Sequence, residues 1–168
     1  MISTHQLDLR FVAERNIGSW LIRWYGAEEF SHVGVIRNGT REFGARYGKD
    51  GADAPGVQYR PLDYAKFTRT KLISVPVTEF EWTLFWKEAD KLVGKPYSSR
   101  LIFGFAVEHD FDTATGFICS TLLGYLLKYL NLLPRELHKR IHLLTPEDIY
   151  LLVLGLRDGS MYRSVAIS

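Results

Sequence analysis

Cysteine is almost missing from this 168-residue chain: Cys119 stands alone. A single cysteine excludes an intrachain disulfide and any zinc or iron–sulfur site built on several thiolates. It fits a reducing compartment without requiring one. Charge of one sign is lacking too, since 21 Lys and Arg against 19 Asp and Glu leave a formal net charge of +2. That excess is too small to argue for a nucleic-acid partner. The longest apolar runs, such as Ile149 to Leu154, fall well short of the roughly 18 residues a membrane span needs. Met1 to Arg10 has neither the basic lead nor the apolar core of a signal peptide. A soluble, cytoplasmic protein is expected, unless something else carries it out of the cell. Repeats, low-complexity tracts and linkers are absent from the sequence as well.

What is present is apolar: hydrophobic residues make up 46% of the chain. That is enough for a sizeable core in one domain spanning 1–168. Alternation and β-branching predict strands at Leu7 to Val12, His32 to Ile36, Arg41 to Arg46, Val57 to Arg60 and Lys71 to Val77, with Pro76 marking an edge or an end. Met161 to Val165 reads as a closing strand. Asn38-Gly39 is a hairpin turn signal, and the glycine-rich stretch Gly48 to Gly56 reads as an exposed, mobile loop. Helical spacing predicts a short helix over Ile17 to Tyr25 and a longer one over Glu79 to Val93, with Phe80, Leu84, Phe85, Ala89 and Leu92 on one side. A further helix begins near Cys119, where Leu122, Leu123, Leu126, Leu127 and Leu130 repeat. A last one starts at Thr145-Pro146-Glu147-Asp148, with a capping hydroxyl, proline at the first position and acids in the first turn.

Cys119 therefore sits at a helix start. There the positive end of the helix dipole favours a thiolate, the nucleophilic form of the side chain. Far upstream, Ser31-His32-Val33-Gly34-Val35-Ile36 places a histidine at the opening of a strand. A thiolate beside an imidazole that takes and returns a proton is a nucleophilic pair for attack on a carbonyl. The first-turn N–H groups of the helix offer a cradle for the oxyanion.

These motifs resemble a known family. Ser31 to Ile36, Asn38-Gly39 and Phe43-Gly44-Ala45 resemble the histidine hairpin of NlpC-type papain-like cysteine peptidases and amidases. Gly94-Lys95-Pro96-Tyr97 is similar to the family's Gly-x-Pro-Tyr element, and Phe117-Ile118-Cys119-Ser120 to its aromatic-x-Cys-Ser. Gly56-Val57-Gln58 to Pro61-Leu62 and Leu144 to Asp148 resemble its later steps. In the ordinary family the cysteine precedes the hairpin. Here His32 comes first, which resembles the circularly permuted branch of YiiX/YebB-like proteins, related to lecithin retinol acyltransferase-like enzymes. The resemblance spans about residues 6 to 150. It implies an α+β, permuted papain-like fold, a small antiparallel sheet packed against the cysteine helix. It implies a thiol hydrolase with Cys119 as nucleophile and His32 as base, Tyr97 and Ser120 lining the substrate site, and no cofactor. The implied substrate is a peptide or amide bond, such as one in peptidoglycan, with a lipid ester as the second candidate.

The third member of the site is open. The family position that orients the histidine falls on Gly44, which has no side chain. Glu42 is the nearest acid. A three-residue loop, Arg37-Asn38-Gly39, puts Glu42 on the His32 face, and a two-residue Asn38-Gly39 turn puts it on the other. A backbone carbonyl, a water, Asp110 or Asp112 are alternatives. The rival from another class is a non-catalytic structural or phage-type module on the same fold. It expects a buried thiol, whereas the hydrolase expects a partly exposed one within hydrogen-bond reach of His32.

Two other groupings are read as structural. His138 and His142 have a zinc-like i, i+4 spacing on a helix, but Lys139 and Arg140 between them suggest a solvated face. Trp20, Leu21, Trp24 and Tyr25 suit the apolar side of a helix capping the core better than an interfacial membrane helix.

Overall fold

The computed structural model describes residues 4–13, 29–48, 51–98 and 116–159. Five strands form one antiparallel sheet: β1 (Thr4–Ala13), β2 (His32–Arg37), β3 (Arg41–Arg46), β4 (Gly56–Pro61) and β5 (Arg69–Thr78). Their spatial order is β4-β3-β2-β1-β5, with every neighbouring pair antiparallel. Strand alternation sends Leu7, Leu9 and Phe11 of β1, Val33 and Val35 of β2, Phe43 and Ala45 of β3 and Ile73, Val75 and Val77 of β5 into one apolar core. Their intervening neighbours, Arg10, His32, Gly34, Glu42, Gly44 and Arg46 among them, belong to the opposite face of the sheet.

Three helices complete the core among the described residues: α1 (Glu79–Leu92), α2 (Cys119–Tyr129) and α3 (Pro146–Arg157). Helix α1 starts in a reciprocal cap, with Thr78 Oγ1 accepting from Glu81 N at 3.1 Å and Glu81 accepting from Thr78 N at 2.7 Å. Thr145 and Asp148 repeat the device at α3, with Pro146 in its first turn. Helix α2 packs on β2 and β3 and against α1 and α3. Leu122, Leu123, Leu126 and Leu127 bury its apolar side, so the helix start carrying Cys119 is fixed against the hairpin.

The structure refines the loop expectation and corrects two others. Phe80, in the first turn, is exposed rather than on the core side of α1, and Trp86 fills that side with Phe85 and Ala89. The stretch from Gly48 to Gly56 includes a 3-10 turn at Gly51–Asp53. Its described part from 51 onward is tied to the sheet: Asp53 accepts from Arg46 Nε at 2.7 Å, and the buried Arg60 donates to the carbonyls of Ala54 and Gly56. His138 and His142 share no helix, each following or lying in a separate 3-10 turn, and His138 Nε2 bonds the Leu133 carbonyl at 2.9 Å. The expected helix over 17–25, the aromatic cluster at Trp20 to Tyr25, Asp110, Asp112 and the closing strand at 161–165 lie outside the described residues. No described helix is long and apolar enough to cross a membrane.

Candidate active site

The β2–β3 hairpin decides which face Glu42 takes. Arg37 pairs with Arg41, Ile36 with Glu42 and Val35 with Phe43. The loop therefore holds three residues, Asn38-Gly39-Thr40, closed by Thr40 N donating to the Arg37 carbonyl at 3.2 Å. Asn38 and Gly39 both take positive φ, 53° and 67°, the conformation that favours Asn and Gly. This loop lies one residue later than Arg37-Asn38-Gly39, the three-residue loop expected. The parity is the same, because the side-chain period of a strand is two. Glu42 accordingly shares a face with His32.

Glu42 is two rungs from His32, yet Glu42 Oε1 lies 2.9 Å from His32 Nε2. The side chain reaches it by running over Gly34. An added Cβ at Gly34 would stand 2.6 Å from both Glu42 Cγ and Oε1, closer than packed atoms tolerate. Gly44, on the next strand, lines the same path more loosely: a Cβ there would meet the His32 ring at 3.6 Å, an ordinary contact.

Three donors converge on that carboxylate. His32 and the Tyr64 hydroxyl share Oε1, each at 2.9 Å, and Arg10 Nη1 meets Oε2 at 3.1 Å. Arg10 pairs with Gly34 across β1 and β2, which sets it on the face of the sheet that carries Glu42. Burial pushes the Glu42 carboxyl up, but the bond and charge of His32, the Tyr64 hydrogen bond and the Arg10 charge together hold it below the usual range. His32 shows the complement. Burial is the strongest influence and pushes its pKa down. Its interactions with Cys119 and Glu42 outweigh it, and the pKa is raised to about 9. At neutral pH the pair is imidazolium and carboxylate, with Nε2–H donating to Glu42. Nδ1 is the ring nitrogen that Glu42 does not engage.

Cys119 stands near enough to His32 to help raise its pKa, whereas the hydrolase reading expects a hydrogen bond between them. Cys119 is also buried, 4% exposed, where that reading expects partial exposure. The physical reason is that α2 begins inside the core, with Phe117 and Ile118 buried before it and Leu122 and Leu123 after it. The N-cap position belongs to Ile118, which makes no side-chain cap bond. The first-turn N–H groups therefore lack the side-chain acceptor that Thr78 and Thr145 supply to the other two helices. Ser120 is fully buried, and its Oγ has no hydrogen-bond partner among the described residues. Tyr97 forms a parallel bridge with Phe117, two residues before Cys119, and its ring lies 5.9 Å from that of the exposed Tyr47.

The sequence motifs give Arg10, Tyr64 and Gly34 no role in the site. Arg10 and Tyr64 belong to no motif, and they come to Glu42 only through sheet order and the β4–β5 connection. Gly34 stood in view inside Ser31 to Ile36. A glycine in the middle of a strand signals a close approach, and that was the available clue.

No protein-family model matches the chain, and no curated protein does. Among solved structures, the chain is similar to the metalloprotein YiiX from Escherichia coli O157:H7, a DUF1105 protein. Identity is 18% and the TM-score 0.49, over 75% of this chain and 66% of that one. The chain therefore spans just under two thirds of the length of YiiX. Among the described residues, no group of three or more His, Cys, Asp or Glu side chains is placed to hold a metal ion.

Proposed function

We propose that this protein is a thiol hydrolase or acyltransferase of permuted papain-like architecture, with Cys119 as nucleophile, His32 as general acid and base, and Glu42 orienting His32. The observation that carries the reading is the buried His32–Glu42 pair, with Nε2 2.9 Å from Oε1, and Cys119 near enough to help raise the His32 pKa. A histidine with one nitrogen fixed by an acid keeps the other for proton exchange with a thiol, the arrangement an activated nucleophile needs.

In the reaction, the Cys119 thiolate attacks the substrate carbonyl carbon and forms a C–S bond. The carbonyl electron pair moves to oxygen, where the uncapped first-turn N–H groups of α2 stabilise it. The pair returns, the bond to the leaving group breaks, and the His32 imidazolium gives that group a proton. Water, or an acceptor hydroxyl, then attacks the thioester carbon and loses its proton to His32, and the C–S bond breaks to restore the thiolate.

An amide or peptide bond, such as one in peptidoglycan, is the leading substrate class, and a lipid ester is the second. The test is a parallel assay of peptide amides, isolated peptidoglycan and short-chain fatty acyl esters on the native protein and on Cys119→Ser. Turnover of one class that vanishes in Cys119→Ser supports the reading. Turnover that survives in Cys119→Ser, or a full panel left intact by the native protein, contradicts it.

A further inference from the structure

We infer that Arg10 and Tyr64 are positioning residues for the thiol–imidazole pair, acting through Glu42; the inference rests on the thiol-hydrolase reading above. The carboxylate reaches His32 across two rungs, and a glutamate has several rotatable bonds with which to miss. Its two oxygens are fixed separately. Arg10 holds Oε2 from β1, and Tyr64 holds Oε1 from the connection between β4 and β5. With both in place, Oε1 is turned toward His32 Nε2.

The connection is itself locked to the sheet. Arg10 Nη1 also donates to the Leu62 carbonyl at 2.8 Å, and its guanidinium lies 4.5 Å from the centre of the Phe67 ring. Phe67 packs edge-on against Tyr64, and Tyr64 N donates to the Pro61 carbonyl. Arg46 and Arg60 lie over the Tyr64 ring at 5.0 and 5.8 Å, and cations over an aromatic face fix its plane. The charged groups facing Glu42 are His32 on β2, Arg10 on β1 and, paired across β4, Arg60; the Tyr64 hydroxyl completes its surroundings.

Both residues stabilise the Glu42 anion, so removing either moves its protonation to higher pH. Once Glu42 is neutral, His32 loses its charged partner. The experiment is iodoacetamide alkylation of the one thiol against pH, in native protein, Arg10→Gln, Arg10→Lys, Tyr64→Phe and His32→Ala. A ¹³C titration of the Glu42 carboxyl and a melting temperature accompany each. The expected result is slower alkylation in Arg10→Gln and Tyr64→Phe, with the acid limb and the Glu42 titration both moved to higher pH. Arg10→Lys, which keeps the charge, restores most of the native profile. Tyr64→Phe keeps the half-buried ring and tests the hydroxyl in a folded protein. Native rates and an unmoved acid limb in folded Arg10→Gln and Tyr64→Phe overturn the inference while His32→Ala remains slow. Equal rates in native protein and His32→Ala overturn the thiol-hydrolase reading, and the inference with it.

Discussion

Glu42 reaches His32 by lying across the backbone of Gly34, where a methyl group would stand 2.6 Å from its Cγ. The absence of a side chain at 34 is therefore part of the site, although Gly34 does no chemistry. This gives a matched pair of variants. Gly34→Ala is expected to displace Glu42, break its bond to His32 and cost roughly 1–3 kcal/mol, the usual range for overpacking a tight site. Gly44→Ala meets only ordinary contacts at 3.6 Å and is expected to fold and titrate like the native protein. Calorimetry with NMR of the His32 ring nitrogens checks both. Equal behaviour of the two variants contradicts the described path of Glu42.

Stability is expected to fall as pH rises through the His32 titration. The folded pKa of about 9 lies above the ordinary 6.5. The contribution of His32 is thus fully present below 6.5 and lost as pH climbs through 9. Glu42 acts in the opposite sense. Its folded pKa is lowered from 4.5, so its contribution is present above that value and lost as pH falls through the depressed one. Melting temperatures across pH 3 to 10 should form a plateau between the two slopes. The alkaline slope should flatten in His32→Gln, and a slope unchanged in that variant would place the titration elsewhere.

Glu42→Ala is expected to destabilise the fold by roughly 3 kcal/mol or more, because it removes the buried carboxylate that both Arg10 and His32 engage. Glu42→Gln keeps the shape and removes the anion. The His32 pKa is expected to drop in it, read directly by ¹⁵N NMR. A His32 pKa still near 9 in Glu42→Gln would show that Cys119 alone sustains the imidazolium.

If the protein turns over an amide or ester, His32→Ala should lower the rate by about 10²-fold or more, the share typical of a positioned acid and base. A melting temperature measured on the same sample separates this loss from unfolding.

Much of the fold was legible from local signals. The limits Arg41 to Arg46 follow from turn chemistry and alternation. Thr145-Pro146 and the glycine after α1 marked helix ends because caps and breakers act locally. The hairpin parity was the hard point: Asn38-Gly39 permits loops of two or three residues, and only pairing across β2 and β3 selects one. The anchoring of Glu42 was harder still. Arg10 and Tyr64 are 32 and 22 residues from Glu42 in sequence, and nothing local to either announces a carboxylate. Burial of Cys119 was missed for a related reason, since helical spacing shows which residues face the core but not how deeply the helix start is set into it.

The central claim is that His32 activates Cys119. The most direct measurement is the alkylation rate of the native protein by iodoacetamide at pH 7, compared with His32→Ala. With one cysteine in the chain, the whole signal belongs to that thiol. The account predicts rapid modification in the native protein and a many-fold loss of rate in a folded His32→Ala. A thiol that resists modification in the native protein, or reacts equally in both, would contradict it and leave Cys119 as a core residue beside a structural histidine.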